Sequence, residues 1–230
     1  MKTMKFDFDP ENHEYRLDGE LVPSVTELLK PLTSAGYANI NPEVLRQAAL
    51  RGTAVHEACE AIDYGLDPED ISPDIVPYLD AYCAFLRDYK PEWYGIEDMV
   101  YGDWVDSWGS IDYAGTIDRW GVIDGELAVL DIKTVATPNH RQKVCTAIQC
   151  FAYGSALRVC GKHPKKIDRY FALYLKKDGT YTLVNLTEYA QECGVVIRMI
   201  WVDLAEIYYR TKEAETLLNG NRRPRRKKDE

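Results

Sequence analysis

Residues 115–134, GTIDRWGVIDGELAVLDIKT, constrain this chain more than any other stretch. Ile117, Val122, Ile123, Val129, Leu130 and Ile132 supply the aliphatic and β-branched content of strands, and Asp124-Gly125 is a two-residue hairpin turn between them. The turn folds Asp118 and Asp131 back toward each other. Side chains alternate along a strand, so Asp131 and Lys133 project from one face with Ile132 buried behind them. Two carboxylates and an ammonium then share a small volume, a costly arrangement unless a divalent cation or a phosphate sits between them. A D-x-K triplet by itself also occurs on many solvated strand faces. Here Ala128, Val129, Leu130 and Ile132 frame Asp131, so an apolar strand delivers the acid and a partly buried carboxylate is expected.

With 230 residues and 46% hydrophobic content, the chain suits one α/β domain with a real core over residues 1–220, followed by a basic, disordered tail at 221–230. It holds no run of eighteen apolar residues, and MKTMKFDFDPENHEY at its start lacks an apolar signal core. The expectation is a soluble, cytoplasmic protein with no membrane partner. Six cysteines, Cys59, Cys83, Cys145, Cys150, Cys160 and Cys193, are scattered without close metal-type pairs, as befits small core residues in a reducing compartment. An iron–sulfur cluster on Cys145, Cys150 and Cys160 is conceivable, but all three fall on one predicted helix without the short C-x-x-C spacing that such clusters use.

The net charge is −9, and RRPRRKKDE from Arg222 carries six positive and two negative charges, leaving −13 on the first 221 residues. An acidic body binds polyanions poorly, so nucleic acid as a ligand requires bound metal and local basic patches. The tail is one such patch, or else a solubilising end.

Around the central stretch the pattern predicts an N-terminal hairpin over residues 5–7, 14–17 and 20–22, then a short helix capped by Ser24 and Glu27 and ending before Pro31, then a loop over 33–41. Asn41 and Pro42 open a helix that runs to about Gly65, with Gly52 marking a close contact or a break. Helical periodicity at Ile75, Tyr78, Leu79, Tyr82 and Leu86 places another over 74–89, ended by Pro91. Strands follow near 94–101, 104–108, 114–122 and 126–133, then a helix over 139–159, a hairpin turning at Asp178-Gly179 and a long helix over 187–218. Helices, β-meander, helix, hairpin and helix is the order of an α/β sandwich around a mixed sheet with the meander at its centre.

Other polar residues stand out along this path. His56 and Glu60 are one helical turn apart and can approach a metal together, although a lone helical histidine is more commonly a capped or core residue. Glu97 lies on the strand before the meander, where the ordinary role is an exposed acid. Gln149 and Tyr153, one turn apart on the helix after Lys133, can face the sheet edge or make ordinary surface hydrogen bonds.

Taken in order, R-G-T-x-x-H ending at His56, G-x-x-D ending at Asp118, D-I-K-T starting at Asp131 and Q-x-x-x-Y from Gln149 to Tyr153 resemble the PD-(D/E)XK nuclease superfamily. The resemblance is strongest to its RecB-like exonuclease branch of phages, bacterial recombination complexes and mitochondrial genome maintenance. PSVTELL from Pro23 resembles the start of such phage nucleases, and the resemblance spans about residues 20–190. Ile117 stands where the superfamily's name-giving proline falls, and Asp131 takes the position that accepts either acid.

The resemblance implies a restriction-endonuclease-like α/β sandwich with a central mixed β-sheet flanked by helices, and a metal-dependent DNA exonuclease. It implies that His56, Asp118 and Asp131, with the Ile132 carbonyl, ligate Mg²⁺ or Mn²⁺, and that Asp118, Asp131 and Lys133 are catalytic, with Lys133 orienting or deprotonating the attacking water. Oxygen-rich sites select hard cations, and a histidine tilts preference toward manganese. Gln149 and Tyr153 are implied to hold the DNA strand or position Lys133, with Glu60 and Glu97 as supporting or second-metal residues. Linear DNA ends or single strands are the implied substrate, in phage or bacterial recombination, replication or repair, alongside a recombination or helicase partner. Arg141, Lys143 or the tail would receive the phosphate backbone, and Trp104, Trp108, Tyr113 and Trp120 pack the core or stack on unpaired bases.

Two other classes stand beside this one. A nucleic-acid-binding or assembly module could keep the fold without turnover, but a degenerate site is expected to lose at least one of Asp118, Asp131 and Lys133. A zinc hydrolase built on His56-Glu57-x-x-Glu60 lacks a second histidine at helical spacing.

Overall fold

A computed structural model of the chain describes residues 5–36, 40–106, 109–135, 137–163, 166–192 and 194–220. The basic tail, Trp108, Cys193 and the side chain of Trp104 lie outside the described residues. The N-terminal hairpin is a three-stranded antiparallel sheet of β1 (Phe6–Asp9), β2 (Glu14–Leu17) and β3 (Glu20–Val22). Ser24 caps α1 (Val25–Leu28), its hydroxyl accepting from the Glu27 amide at 3.0 Å. Pro31 does not end this helical region as expected. It sits in the first turn of a second short helix, α2 (Lys30–Thr33), where its missing N–H has no partner to lose.

The Asn41 side chain accepts from the Glu43 amide to start α3 (Pro42–Asp63), and α4 (Val76–Tyr89) ends on Lys90, left-handed at φ +45° ahead of Pro91. α3 runs unbroken through Gly52. A methyl there would lie 3.9 Å from Thr134 Oγ1, an ordinary van der Waals distance, so Gly52 marks neither a break nor a contact too close for a side chain.

The two strands expected over 94–108 are one, β4 (Glu92–Asp106), which pairs antiparallel with β5 (Gly109–Ile123) apart from a bulge between Trp93 and Gly95. The Asp124-Gly125 turn leads into β6 (Glu126–Lys133). α5 (His140–Val159) crosses over to β7 (Arg169–Leu175), parallel to β6, and β8 (Tyr181–Asn185) completes the order β4-β5-β6-β7-β8. Two helical stretches follow, α6 (Thr187–Glu192) and α7 (Gly194–Gly220).

The five-stranded mixed sheet is covered on both faces, so the fold is an α/β sandwich. Val129 of β6 shares a core with Ala147 and Ile148 of α5 and Trp201 of α7, whereas Ala128, Leu130 and Ile132 share one with Val55 of α3 and Tyr82 and Phe85 of α4. Burial from both sides explains the near-continuous apolar run of β6 and makes the acid within it costly. Tyr113 and Trp120 are core residues: the Tyr113 hydroxyl donates to the Ala152 carbonyl at 3.0 Å and the Trp120 indole to Asp98 at 2.8 Å. No helix among the described residues is long and apolar enough to cross a membrane.

Candidate metal centre

The ladder between β5 and β6 ends at the pair Arg119 and Leu130. Beyond it the strands part, β6 continuing beside β7 to Lys133 while β5 stays on β4. The parting leaves the Ile132 amide without a β5 partner, and Asp118 Oδ2 accepts it at 2.6 Å. Asp131 is 2% exposed. Its Oδ1 accepts from Lys133 Nζ at 2.9 Å, while Oδ2, 2.8 Å from the same nitrogen, is buried without an aligned donor. Asp131 and Lys133 thus meet on one face with Ile132 in the core behind them, as strand alternation requires.

α3 lays His56 over this fork. Its Nε2 lies 3.1 Å from the Ile132 carbonyl, and its Nδ1 lies 3.5 Å from Glu97 Oε1 and 3.8 Å from Asp118 Oδ2. One ligand atom each from His56, Glu97 and Asp118 falls within 4.8 Å of the others, close enough for three to share one cation. Glu97 reaches this position through backbone strain: it sits mid-strand at φ +44° and drops out of the ladder between Ile96 and Asp98. That conformation costs a non-glycine residue about 1–2 kcal/mol.

A buried arginine holds the strained acid from behind. Arg119 Nη1 donates to Glu97 Oε1 at 3.1 Å and Nε to Asp63 Oδ2 at 2.5 Å, while Tyr82 and Trp93 donate to Asp63 at 2.6 and 3.0 Å. Nothing in the motifs points to Asp63, and the signal for Arg119 is its place inside an apolar strand directly after Asp118.

The charges of the cluster fix its protonation. Burial alone would lower the His56 pKa, but Asp118 and Glu97 outweigh it and lift the imidazole to about 9. Burial pushes Asp131 up to about 6, against the pull of the Lys133 ammonium and with Asp118 adding to the rise. Burial would likewise strip Lys133 of its proton, yet Asp131 and Asp118 hold it above its ordinary value. Without a cation, the His56 proton supplies the positive charge between the carboxylates. The carboxylates of Glu97 and Asp118, the Ile132 carbonyl beside them and one imidazole suit a hard divalent cation such as Mg²⁺ or Mn²⁺, while Asp131, an expected ligand, lies outside this group with both carboxylate oxygens turned to Lys133.

Other expected ligands stay apart. Glu60 lines the cleft but lies outside the three-residue group, and no second histidine joins that group among the described residues. Cys145, Cys150 and Cys160 do not converge among the described residues either. Cys150 is fully buried, and Cys160 donates to the Ala156 carbonyl at 3.0 Å.

Gln149 and Tyr153 both line the cleft from α5, one turn apart and buried. A methyl on Gly115 would come within 2.8 Å of the Tyr153 ring, so the glycine of G-x-x-D and the tyrosine of Q-x-x-x-Y form one packing contact. The cleft measures about 780 Å³, with His56, Glu97, Asp118 and Lys133 on one side and Phe8, His13 and Tyr15 of the N-terminal sheet on the other. Phe8 and Tyr15 pack with ring centroids 4.7 Å apart, and the Tyr15 and Thr116 hydroxyls meet at 2.9 Å.

Fold and cluster together define an α/β-sandwich protein with a candidate divalent-cation site. No family model matches the chain, and no curated protein matches its sequence. Among solved structures, one described as the crystal structure of SSO0001 aligns at TM-score 0.33 and 15% identity, over 69% of this chain and 75% of that one, a likeness too slight to carry an argument.

Proposed function

We propose that the chain is a divalent-metal-dependent deoxyribonuclease of the PD-(D/E)XK kind, with a restriction-endonuclease-like fold, acting on DNA ends as an exonuclease. The observation that carries this reading is the convergence of Asp118, Asp131 and Lys133 on the fork of β5 and β6 beneath His56, because three separate sequence motifs meet there and the fourth, from Gln149 to Tyr153, lines the same cleft. His56, Glu97 and Asp118 would hold Mg²⁺ or Mn²⁺, with Asp131 and the Ile132 carbonyl beside them. When bound, the cation supplies positive charge against the phosphate and acidifies water. Asp118 locks β6 at the fork through the Ile132 amide, and Asp131 fixes Lys133. The Lys133 ammonium, protonated, donates to a phosphate oxygen or orients the incoming water. Hydrolysis adds the water oxygen to phosphorus, breaks one ester P–O bond and leaves a phosphate end and a hydroxyl end. Gln149 and Tyr153 support Lys133 and the bound strand.

The sequence resemblance supports a setting in recombination, replication or repair in a phage or bacterial cytoplasm, with a recombination or helicase partner. An acidic body is compatible with this, since part of its negative charge belongs to the cation site. The test is purified protein with labelled linear and circular, single- and double-stranded DNA, in Mg²⁺, Mn²⁺ or chelator. Cleavage that requires metal and ends, and is lost in Lys133→Ala, supports the reading. Absence of metal-dependent cleavage, or cleavage indifferent to Lys133→Ala, overturns it. Metal-dependent DNA binding without cutting identifies a binding or assembly module instead.

A further inference from the structure

A second cavity, about 310 Å³, lies against the cleft among α1, α2, the start of α5 and the end of β6. Thr26, Lys133 and Gln149 line both spaces, so the Lys133 ammonium stands at their junction. Leu29, Val135 and Cys145 give the second cavity apolar walls. Tyr174 is 1% exposed and lines it as well, and its buried hydroxyl has no aligned hydrogen bond although the Thr146 hydroxyl is its neighbour. An unpaired buried hydroxyl is costly, and a ligand edge carrying an acceptor relieves that cost. Arg141, exposed at the lining, has its Nε fixed on the Leu32 carbonyl at 2.8 Å.

We propose that this pocket receives the base and sugar of the terminal nucleotide of a DNA strand, with the adjoining phosphate held at Lys133. The inference rests on the nuclease reading of the neighbouring cluster. The cavity is at the lower limit of small-molecule sites, about 300 Å³, which leaves room for one nucleoside and none for a duplex. Aliphatic walls take the faces of a planar base, while the Tyr174 hydroxyl and the Gln149 amide address its polar edge. The phosphate's charge then falls between Lys133 and Arg141. Seating one nucleoside before the reacting phosphate makes the enzyme cut from an end and release mononucleotides.

The test is titration of the ¹⁵N-labelled full chain with dTMP, followed by NMR, for the parent, Tyr174→Phe and Cys145→Trp. The parent is expected to bind, with shifts at Thr146 and Gln149. Tyr174→Phe keeps the shape of the side chain and is expected to bind about three- to tenfold more weakly, the fold-change of one neutral hydrogen bond. Cys145→Trp fills the cavity and is expected to bind at least about tenfold more weakly, as loss of a burial site requires. Should the tryptophan variant fail to fold, Tyr174→Phe still decides. Binding equal to the parent's in Tyr174→Phe, or no dTMP binding by a protein that cleaves DNA, overturns the pocket alone. Binding of dTMP by a protein that does not cut DNA upholds the pocket and removes the nuclease reading.

Discussion

Arg119 ties Glu97 to the end of α3, its Nη1 3.1 Å from the Glu97 carboxylate and its Nε 2.5 Å from Asp63. Both Arg119 and Asp63 are almost wholly shielded from solvent, so the strained backbone at Glu97 is held by a rigid ion pair rather than by a loop. The third side chain of the cation cluster therefore depends on a residue that is not itself a candidate ligand.

Removing that residue should separate stability from binding. Arg119→Met leaves Asp63 charged and buried without a counter-charge, held only by Tyr82 and Trp93, and is expected to cost about 3–5 kcal/mol in urea unfolding. Arg119→Lys retains the charge without the planar fork that reaches both acids. It is expected to fold but to bind Mn²⁺ about 10–100-fold more weakly by calorimetric titration, the usual effect of losing a partner that orients a ligand. Parent-like Mn²⁺ affinity in Arg119→Lys would show that Glu97 does not rely on Arg119.

Lys133→Ala should act on chemistry. Loss of one pre-positioned charged donor typically lowers turnover about 10²–10³-fold. The variant is expected to keep its far-ultraviolet circular dichroism while end-labelled DNA persists in Mn²⁺. A folded Lys133→Ala protein that cuts at the parental rate would remove Lys133 from the reaction.

The contact between Gly115 and Tyr153 predicts an interaction between two motifs far apart in sequence. A methyl at 115 meets the ring at 2.8 Å, so Gly115→Ala should destabilise by about 1–3 kcal/mol through overpacking. Tyr153→Leu should recover part of that loss, giving a double-mutant coupling of at least about 0.5 kcal/mol. Additive effects would place the strain elsewhere.

The meander, its Asp-Gly turn and the shared face of Asp131 and Lys133 were legible because each follows from local rules, turn chemistry and a two-residue period. His56 was legible only through its motif, since helix periodicity pairs it with Glu60 and tertiary packing pairs it with Glu97. Glu97 looked like an ordinary strand acid because a left-handed kink in mid-strand has no sequence signature when the residue is not glycine. The Asp63–Arg119 pair joins the end of α3 to the middle of β5, and no local pattern encodes such a contact. Pro31 misled because proline both stops helices and starts them, and only the packing of α2 decides between the two.

The cluster should titrate in a defined window. His56 has its pKa raised from 6.5 to about 9 in the folded, metal-free protein. A base with a raised folded pKa stabilises the fold fully below its unfolded value, and the stabilisation disappears as pH climbs through the folded value. The stability difference between the parent and His56→Gln should therefore shrink as pH rises from 6.5 to 9 in chelator. Over the same window Mn²⁺ affinity should rise with pH, because the cation must displace the His56 proton. A stability difference that stays flat across this range would mean that the ring is neutral between its two carboxylates.

Cation binding should also be visible as heat resistance, independently of any DNA. A ligand that binds only the folded state at about 100 times its dissociation constant stabilises by about 2.7 kcal/mol. For a domain of this size each kcal/mol moves the melting temperature by about 2–4 °C, so saturating Mn²⁺ should raise it by about 5–11 °C and chelator should reverse the gain. Glu97→Ala and Asp118→Ala each remove one of the three side chains within 4.8 Å of one another and should abolish most of the shift. Glu60→Ala lies in the cleft but outside that group, and should leave the shift intact. A shift lost equally in all three would point to diffuse attraction of cations by an acidic cleft, and a shift kept in Glu97→Ala would return the site to Asp118, Asp131 and His56 alone.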